Sequence, residues 1–374
     1  NVQILSSNLV QNGDFSEEGV QEVSNGSFSQ EGSEVVVNGD FALNSNWSGT
    51  NTIANGQLIK GSGGGLVYQG TLDGTIKSYK VTIDVAEKNG VSLNLYLGGS
   101  QFPLNEGTQT LYIQSGNGNT FIGFNNGANS VINSISCVEV GQDWNLGTGW
   151  SIAEDKAICD GTQTSDTFLY QNIGSQSNKT IKYSFTVNNY VSGTLKTTYF
   201  GATGTVVNSI SANGDYVFYV NVQSGHNGNT GFKAEVGFIG SITNISVKEV
   251  GQNWNLNGVD FSLGSVFFNS DTDNIFQNGG YFSSGTKYKL TFEGSGNLAY
   301  RTGFAGADGT RKQITLPHTA YLTATADTNR IQAYGANGNL EGTLTNISII
   351  EITTDTSLPR INYEGFSYQD ALGS

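Results

Sequence analysis

YKVTIDV, running from Tyr79 to Val85, is written again as YSFTVNN from Tyr183 to Asn189 and as YKLTFEG from Tyr288 to Gly294. Each copy alternates side chains at period two, the pattern of a half-buried β-strand. The three Tyr recur at intervals of 104 and 105 residues. Upstream of each copy stands an aromatic followed by Gln: Tyr68-Gln69, Tyr170-Gln171, Phe276-Gln277. Further upstream stands an aromatic pair: Phe41/Trp47, Trp144/Trp150, Trp254/Phe261. Downstream, each copy closes on one pattern: INSISCVEV to Val140, ITNISVKEV to Val250, LTNISIIEI to Ile352. Solenoid units run roughly 20–50 residues, so a period this long fits a whole small domain instead. The chain reads as an array of three homologous modules, with Tyr79, Tyr183 and Tyr288 expected at one place in each.

Composition fixes the fold class. The 374 residues include 51 Gly but only 3 Pro, and charged residues make up 13%. Short alternating runs are broken by NG, SG, GG and DG, with no stretch of helical period, so an all-β fold of antiparallel strands and tight turns is expected. About eight candidate strands per module predict a two-sheet jelly-roll sandwich. The net charge of −14 argues against nucleic acid or an anionic membrane surface as partner, because phosphate contacts need clustered Lys and Arg. No run of 18 apolar residues predicts a membrane-spanning helix. The opening NVQILSSNLV lacks the character of a signal peptide, and the absence of Met leads us to expect a piece of a longer protein.

A smaller repeat precedes the modules. NGDF at Asn12–Phe15, NGSF at Asn25–Phe28 and NGDF at Asn38–Phe41 are spaced 13 residues apart. The expected divisions are a leader over 1–35, modules over 36–140, 141–250 and 251–352, and an entry to a further domain over 353–374. The leader holds too few apolar side chains to form a sheet alone, so its backbone must pair with the first module or with another chain. Self-association through residues 1–35 is therefore expected, as a trimer if the protein is a fibre. Between modules, VEVGQDWNL and KEVGQNWNL leave a single Gly as joint and predict a semi-rigid rod.

Together these motifs resemble the galactose-binding-like jelly-roll carbohydrate-binding modules found beside xylanases and glucanases. The resemblance covers Val36 to Ile352 three times over. The stuttered NGDF leader and the SLPRINYEG segment look more narrowly like tail-fibre and appendage proteins of marine bacteriophages, where such modules precede a lectin-like domain opening on PRI(N/D)Y. The resemblance implies a structural or adhesive role at a virion surface or outside the cell, with a cell-surface glycan as partner. In the sugar-binding modules an opening acid and closing-strand Asp residues hold a structural calcium. Here the closing places are Asn133-Ser134, Thr243-Asn244 and Thr345-Asn346, and the opening acid is Asp40 or Asp143 but Asn253 in the third copy. Calcium favours several carboxylate oxygens, so only Asp40 and Asn133 stand as metal candidates. No other cofactor is implied.

Catalytic chemistry finds little support. His226 and His318 occupy non-equivalent places, and His226 in SGHNGNT reads as a turn residue. Cys137 and Cys159 do not make a disulfide framework. Cys137 sits at the slot of Val247 and Ile349, Cys159 near that of Ile59, and both read as buried thiols, with a bridge between modules as the alternative. Asp84, Glu235 and Glu293 read as acids that the other copies do not keep. No enzyme is expected. Sugar stacking, where it occurs, is assigned to Tyr96, Tyr199 and Tyr300 on the strand after the Tyr-led one. The repeated aromatics are assigned to core packing.

Overall fold

The structure, a computed structural model, describes residues 3–116, 118–199, 205–222, 224–302, 311–325 and 327–354. Among the described residues every regular element is a β-strand, and all the strand pairs are antiparallel. The strands build tandem jelly-roll sandwiches. A six-stranded and a four-stranded sheet enclose the first core, and a six-stranded and a five-stranded sheet enclose the second. In the third, the long strand Lys287–Thr302 runs from one layer into the other, so both layers count as one ten-stranded sheet.

Period-two patterning places the core. Along Ser78–Glu87, Val81, Ile83 and Val85 point inward and are buried, while Lys80, Thr82 and Asp84 stay partly exposed. The same strand pairs along its length with the closing strand Val131–Val140, whose Ile132, Ile135 and Cys137 enter the same core. The equivalents are Thr180–Ser192 with Ile239–Val250, and Lys287–Thr302 with Gly342–Thr354. In each, aliphatic and aromatic groups from both layers meet in one separate buried cluster.

Register corrects the alignment of the Tyr-led strands. Tyr79 lies opposite Glu139 and Tyr288 opposite Glu351, at matching places in the closing strands. Tyr183 lies opposite Val247, two residues further along, where the other sandwiches carry Val81 and Leu290. A shift of two keeps a side chain on the same face, so the core accepts an aromatic at either place. Asp84 and Glu293 do share a place, opposite Ser134 and Asn346, contrary to the expectation of unrelated acids.

The joints are built alike. Gly141 and Gly251 adopt positive φ (71° and 67°). A Cβ on Gly141 would come within 2.6 Å of Ile152, and one on Gly251 within 2.9 Å of Leu256. Gln142 and Gln252 then donate back to the carbonyls of Glu139 and Glu249 at 2.8 and 2.9 Å. Tyr112 and Tyr219, opposite the equivalent Lys80 and Lys182, pack against the core of the next sandwich. Neighbouring sandwiches thus share apolar contact as well as a short joint.

Cys137 and Cys159 are free and fully buried, in different cores. By register Cys159 takes the slot of Lys60, not of Ile59. Burial pushes both thiols above the ordinary range, and the thiolate is the reactive form. We expect the native chain to show no fast reaction with a thiol-directed chromogenic disulfide, with two equivalents reacting after unfolding. Fast native titration would contradict the burial.

Candidate functional site

The leader lies along all three sandwiches in reverse order. Gln3–Leu5 pairs with the closing strand of the third, Glu18–Gln21 with that of the second, and Glu31–Glu34 with that of the first. Leu5, Glu18 and Glu31 stand opposite Ile352, Val250 and Val140, so the 13-residue spacing is preserved in register. In every sandwich the outer edge of the closing strand is shared. Its first part pairs with the second strand of a hairpin, and its last part is left for a leader strand. The backbone groups that motivated self-association through residues 1–35 therefore find partners within the chain.

Each leader copy is held by one set of contacts. The side-chain oxygens of Asn8, Gln21 and Glu34 accept the N–H of Ile349, Val247 and Cys137 at 3.0, 2.8 and 2.8 Å. The next leader residues, Leu9, Glu22 and Val35, donate to the carbonyls of those same three residues, each at 2.9 Å. Val10, Val23 and Val36 are buried. The Gln of each aromatic-Gln pair then clamps the leader backbone in both directions. Its Oε1 accepts the N–H of Gln11, Ser24 or Val37 at 2.9, 2.8 and 3.0 Å. Its Nε2 donates to the carbonyl of the same residue. Gln69, Gln171 and Gln277 are buried, and a buried amide must be paired in this way.

The N-G-x-F sequence follows from the geometry of the turn. Asn12, Asn25 and Asn38 have φ of 44°, 46° and 55°, a region Asn tolerates better than most residues. Their Oδ1 atoms cap the N–H of Glu17, Gln30 and Leu43 at 3.0–3.1 Å. A Cβ on Gly13, Gly26 or Gly39 would stand 2.3, 2.0 or 2.0 Å from the carbonyl oxygens of Ile347, Ile245 or Ile135, so only Gly fits. The fourth residue turns its ring inward: Phe15, Phe28 and Phe41 are at most 1% exposed. Each meets an indole at 5.4, 5.2 and 5.5 Å, from Trp254, Trp144 and Trp47. The indole Nε1 of each donates to the carbonyl of the leader Asn at 2.9, 3.1 and 3.2 Å.

These pairs revise the sequence alignment. Trp47, Trp144 and Trp254 are equivalent, and their ring partners are Phe41, Phe28 and Phe15. The pair written locally as Phe41/Trp47 is split in the other two sandwiches between leader and body. The missed signal was a matching count: three NGxF copies stand before three bodies, two of which open on Gln-x-Trp with no NGxF of their own.

Charge separates the copies. Glu18 is reached by Lys182 at 2.5 Å and Lys248 at 2.8 Å, and these hydrogen bonds, Lys182 first, hold its carboxyl below the usual range. Glu31 pairs with Lys80 at 2.7 Å. The first copy carries Leu5 at this position and so brings no carboxylate.

The sugar candidates do not share a place. Tyr96 lies opposite Gly123, and its hydroxyl accepts from Asn119 at 3.1 Å. Tyr300 lies opposite Ala333, one register step earlier, and is buried against Phe292 at 4.9 Å. Tyr199 pairs with Thr230, one step later. Asp40 is exposed and caps Ala42 N–H at 3.3 Å. Asn133 is occupied by Gln57 and Asp84, each at 2.8 Å. Among the described residues no group of three or more His, Cys, Asp and Glu is placed to hold a metal. Leu358–Gly365 lies outside the described residues.

His226 is buried, and its Nδ1 accepts from the N–H groups of Gln176 and Gly228, both at 3.2 Å. Nε2 faces the Asn229 carbonyl at 3.1 Å and must carry the proton. Lys60 is also buried, donating to the carbonyls of Gly65 and Phe124 at 2.6 and 2.9 Å, and burial lowers its pKa to about 8. Two polar clefts lie at the joints. The larger, about 580 Å³, is lined by Asn178, Lys179, Asn221, Glu249, Gln252 and Asn257, among others. Its counterpart, about 360 Å³, includes Lys77, Gln114, Glu139 and Gln142. The pairs Lys77–Glu139 (2.9 Å) and Lys179–Glu249 (3.0 Å) occupy equivalent walls.

No family model matches the chain, and no curated protein matches it. Among solved structures it is similar to the N-terminal CBM22-1–CBM22-2 tandem domain of Paenibacillus barcinonensis Xyn10C, at 10% identity and a TM-score of 0.26, covering 56% of this chain and 94% of that one. It is also similar to a triple jelly-roll protein of the turret assembly of an archaeal virus, at 11% identity and a TM-score of 0.19, covering 86% and 89%. A chain of Sulfolobus Turreted Icosahedral Virus matches at 13% identity and a TM-score of 0.19, covering 82% and 89%.

Two outcomes follow from these contacts. Phe28→Ala should destabilise the second sandwich by about 3–5 kcal/mol, the usual cost of emptying a buried aromatic site. Phe15→Ala and Phe41→Ala should do the same to the third and the first. Urea unfolding followed by Trp fluorescence measures it, and a change near zero would place the leader outside the core. Burial depresses the pKa of His226 below 6.5. The unfolded chain then binds a proton that the folded chain resists, so stability is full above pH 6.5 and falls as pH drops below it. His226→Asn should flatten that limb of a pH–stability curve.

Proposed function

We propose that the chain is a non-enzymatic structural and adhesive protein, an arm of a tail fibre or virion appendage that extends and presents a surface. One observation carries this reading: a single leader runs back along three sandwiches and is built into each core. Pairing Leu5 with Ile352 and Gln3 with Thr354 brings both chain directions to the third sandwich. The first sandwich then forms the far end of the arm, and two apolar joints stiffen it between. The NGDF leader and the SLPRINYEG segment support the appendage assignment through their resemblance to phage tail-fibre proteins.

A second reading is a secreted carbohydrate-binding array. The joint clefts favour it, since amides of Asn178, Asn221, Gln252 and Asn257 suit the hydroxyls of a neutral sugar. An extracellular filament assembled by strand addition is a third. Catalysis gains no support: Glu139, Glu235 and Glu249 are each paired with a lysine, and the buried carboxylate of Asp273 accepts the N–H groups of Asn269 and Ser270 within its own turn.

Immunogold labelling with an antibody to the purified chain should decorate appendages of virus particles. Labelling of secreted enzyme complexes instead would favour the second reading. Incubation with a polysaccharide panel should yield no turnover; turnover abolished by replacing one acidic residue would overturn the non-enzymatic assignment.

A further inference from the structure

We propose that the leader sites are exchangeable between molecules: the groove of each sandwich accepts an N-G-x-F strand from a second copy of this chain. Copies would then join by trading leader strands. The inference rests on the leader contacts alone; it stands apart from the arm reading and gives the strand-addition reading its contact.

Three observations carry it. First, the grooves read features common to all leader copies. Each supplies a Gln clamp, an indole donor, a close carbonyl that demands Gly and a pocket for Phe. The same contacts at the same spacing make one recognition site written three times. Second, part of this recognition is backbone pairing on a strand edge: Glu18–Gln21 and Glu31–Glu34 each pair with a closing strand, and Glu22 and Val35 donate to its carbonyls. Such an edge accepts any extended strand of suitable side chains. Third, little distinguishes the copies except charge. Glu18 and Glu31 meet equivalent lysines, Lys182 and Lys80, so these two copies match each other's grooves. The pairing of each copy with its own sandwich therefore comes from connectivity, not from different recognition.

Connectivity also sets when exchange occurs. A tethered strand meets its groove at an effective concentration in the millimolar range for short flexible links. Cis docking thus dominates in dilute solution, and trans docking appears when a cis strand is lost or copies are crowded together.

A complementary pair of full-length variants isolates the trans event. The acceptor carries Gly26→Val and Phe28→Ala, which spoil its second leader copy and leave the second groove vacant. The donor carries Trp144→Ala and Gln171→Ala, which strip its second groove and leave its second leader copy free. Each alone should sediment as a monomer of 39.7 kDa, and an equimolar mixture should give a species of twice that mass. A labelled synthetic peptide of residues 16–30 should bind the acceptor and not the native chain, raising the thermal stability of the acceptor. The peptide of residues 29–43 should bind it within about fivefold, since both present Glu to the same two lysines, Lys182 and Lys248, and small differences in such partly exposed pairs change affinity by no more than that. The same peptides with Phe replaced by Ala should bind far more weakly. If peptide binds but the mixture stays at monomer mass, exchange between copies is overturned. If the residue 16–30 peptide fails to bind or refold the acceptor at saturating concentration, recognition by the groove itself is overturned.

Discussion

The outer edge of each closing strand is the constraint on which the rest of the structure depends. A hairpin strand covers only its first part, and the remainder, such as Cys137–Val140, would otherwise present unpaired N–H and C=O groups beside an open core. Open edges of that kind invite association, and a Phe-sized gap beside them would leave Trp47, Trp144 and Trp254 facing water. One inserted strand answers both needs. It pairs the edge through backbone bonds and plugs the gap with a single ring two residues beyond a Gly.

Several sequence hallmarks acquire one cause from this. The aromatic-Gln dipeptides are strand-clamping elements: the aromatic sits on one face, while the next residue turns its amide inward to the leader. The Gln-x-Trp after each joint has a double duty as well. Its Gln fastens the joint to the preceding strand, and its Trp reaches the leader carbonyl. The joint and the leader groove are therefore one construction, which ties the relative setting of neighbouring sandwiches to occupancy of the groove.

Fold class was legible in the sequence because it rests on local signals: period-two strands, turn residues and a long repeat. The NGxF spacing and the closing strands were also visible, as was the burial of both thiols. What escaped was pairing at great sequence distance. Phe15 with Trp254 is no more evident locally than Phe15 with Trp47, since every copy of the partner looks alike. Repetition that reveals the modules also hides which leader belongs to which. The two-residue offset of Tyr183 had a similar origin, because a period-two strand tolerates that slip without moving an aromatic out of the core. The scattered Tyr96, Tyr199 and Tyr300 looked equivalent only while the register of their strand was unknown.

The reversed order of the leader has a bearing on how the protein comes into being. On the ribosome its first strand emerges before the other two, yet the strand it must join, Gly342–Thr354, is made after both other closing strands. The pairs nest like brackets, the innermost closing first: Glu31 with Val140, then Glu18 with Val250, then Leu5 with Ile352. The first sandwich can complete itself while the others are still being translated, and two strands wait without partners in the meantime. Contacts spanning nearly the whole chain are slow to form, and the last sandwich matures only after translation has passed its closing strand. Assembly thus proceeds from the first sandwich to the third, opposite to the order in which the leader strands are synthesised.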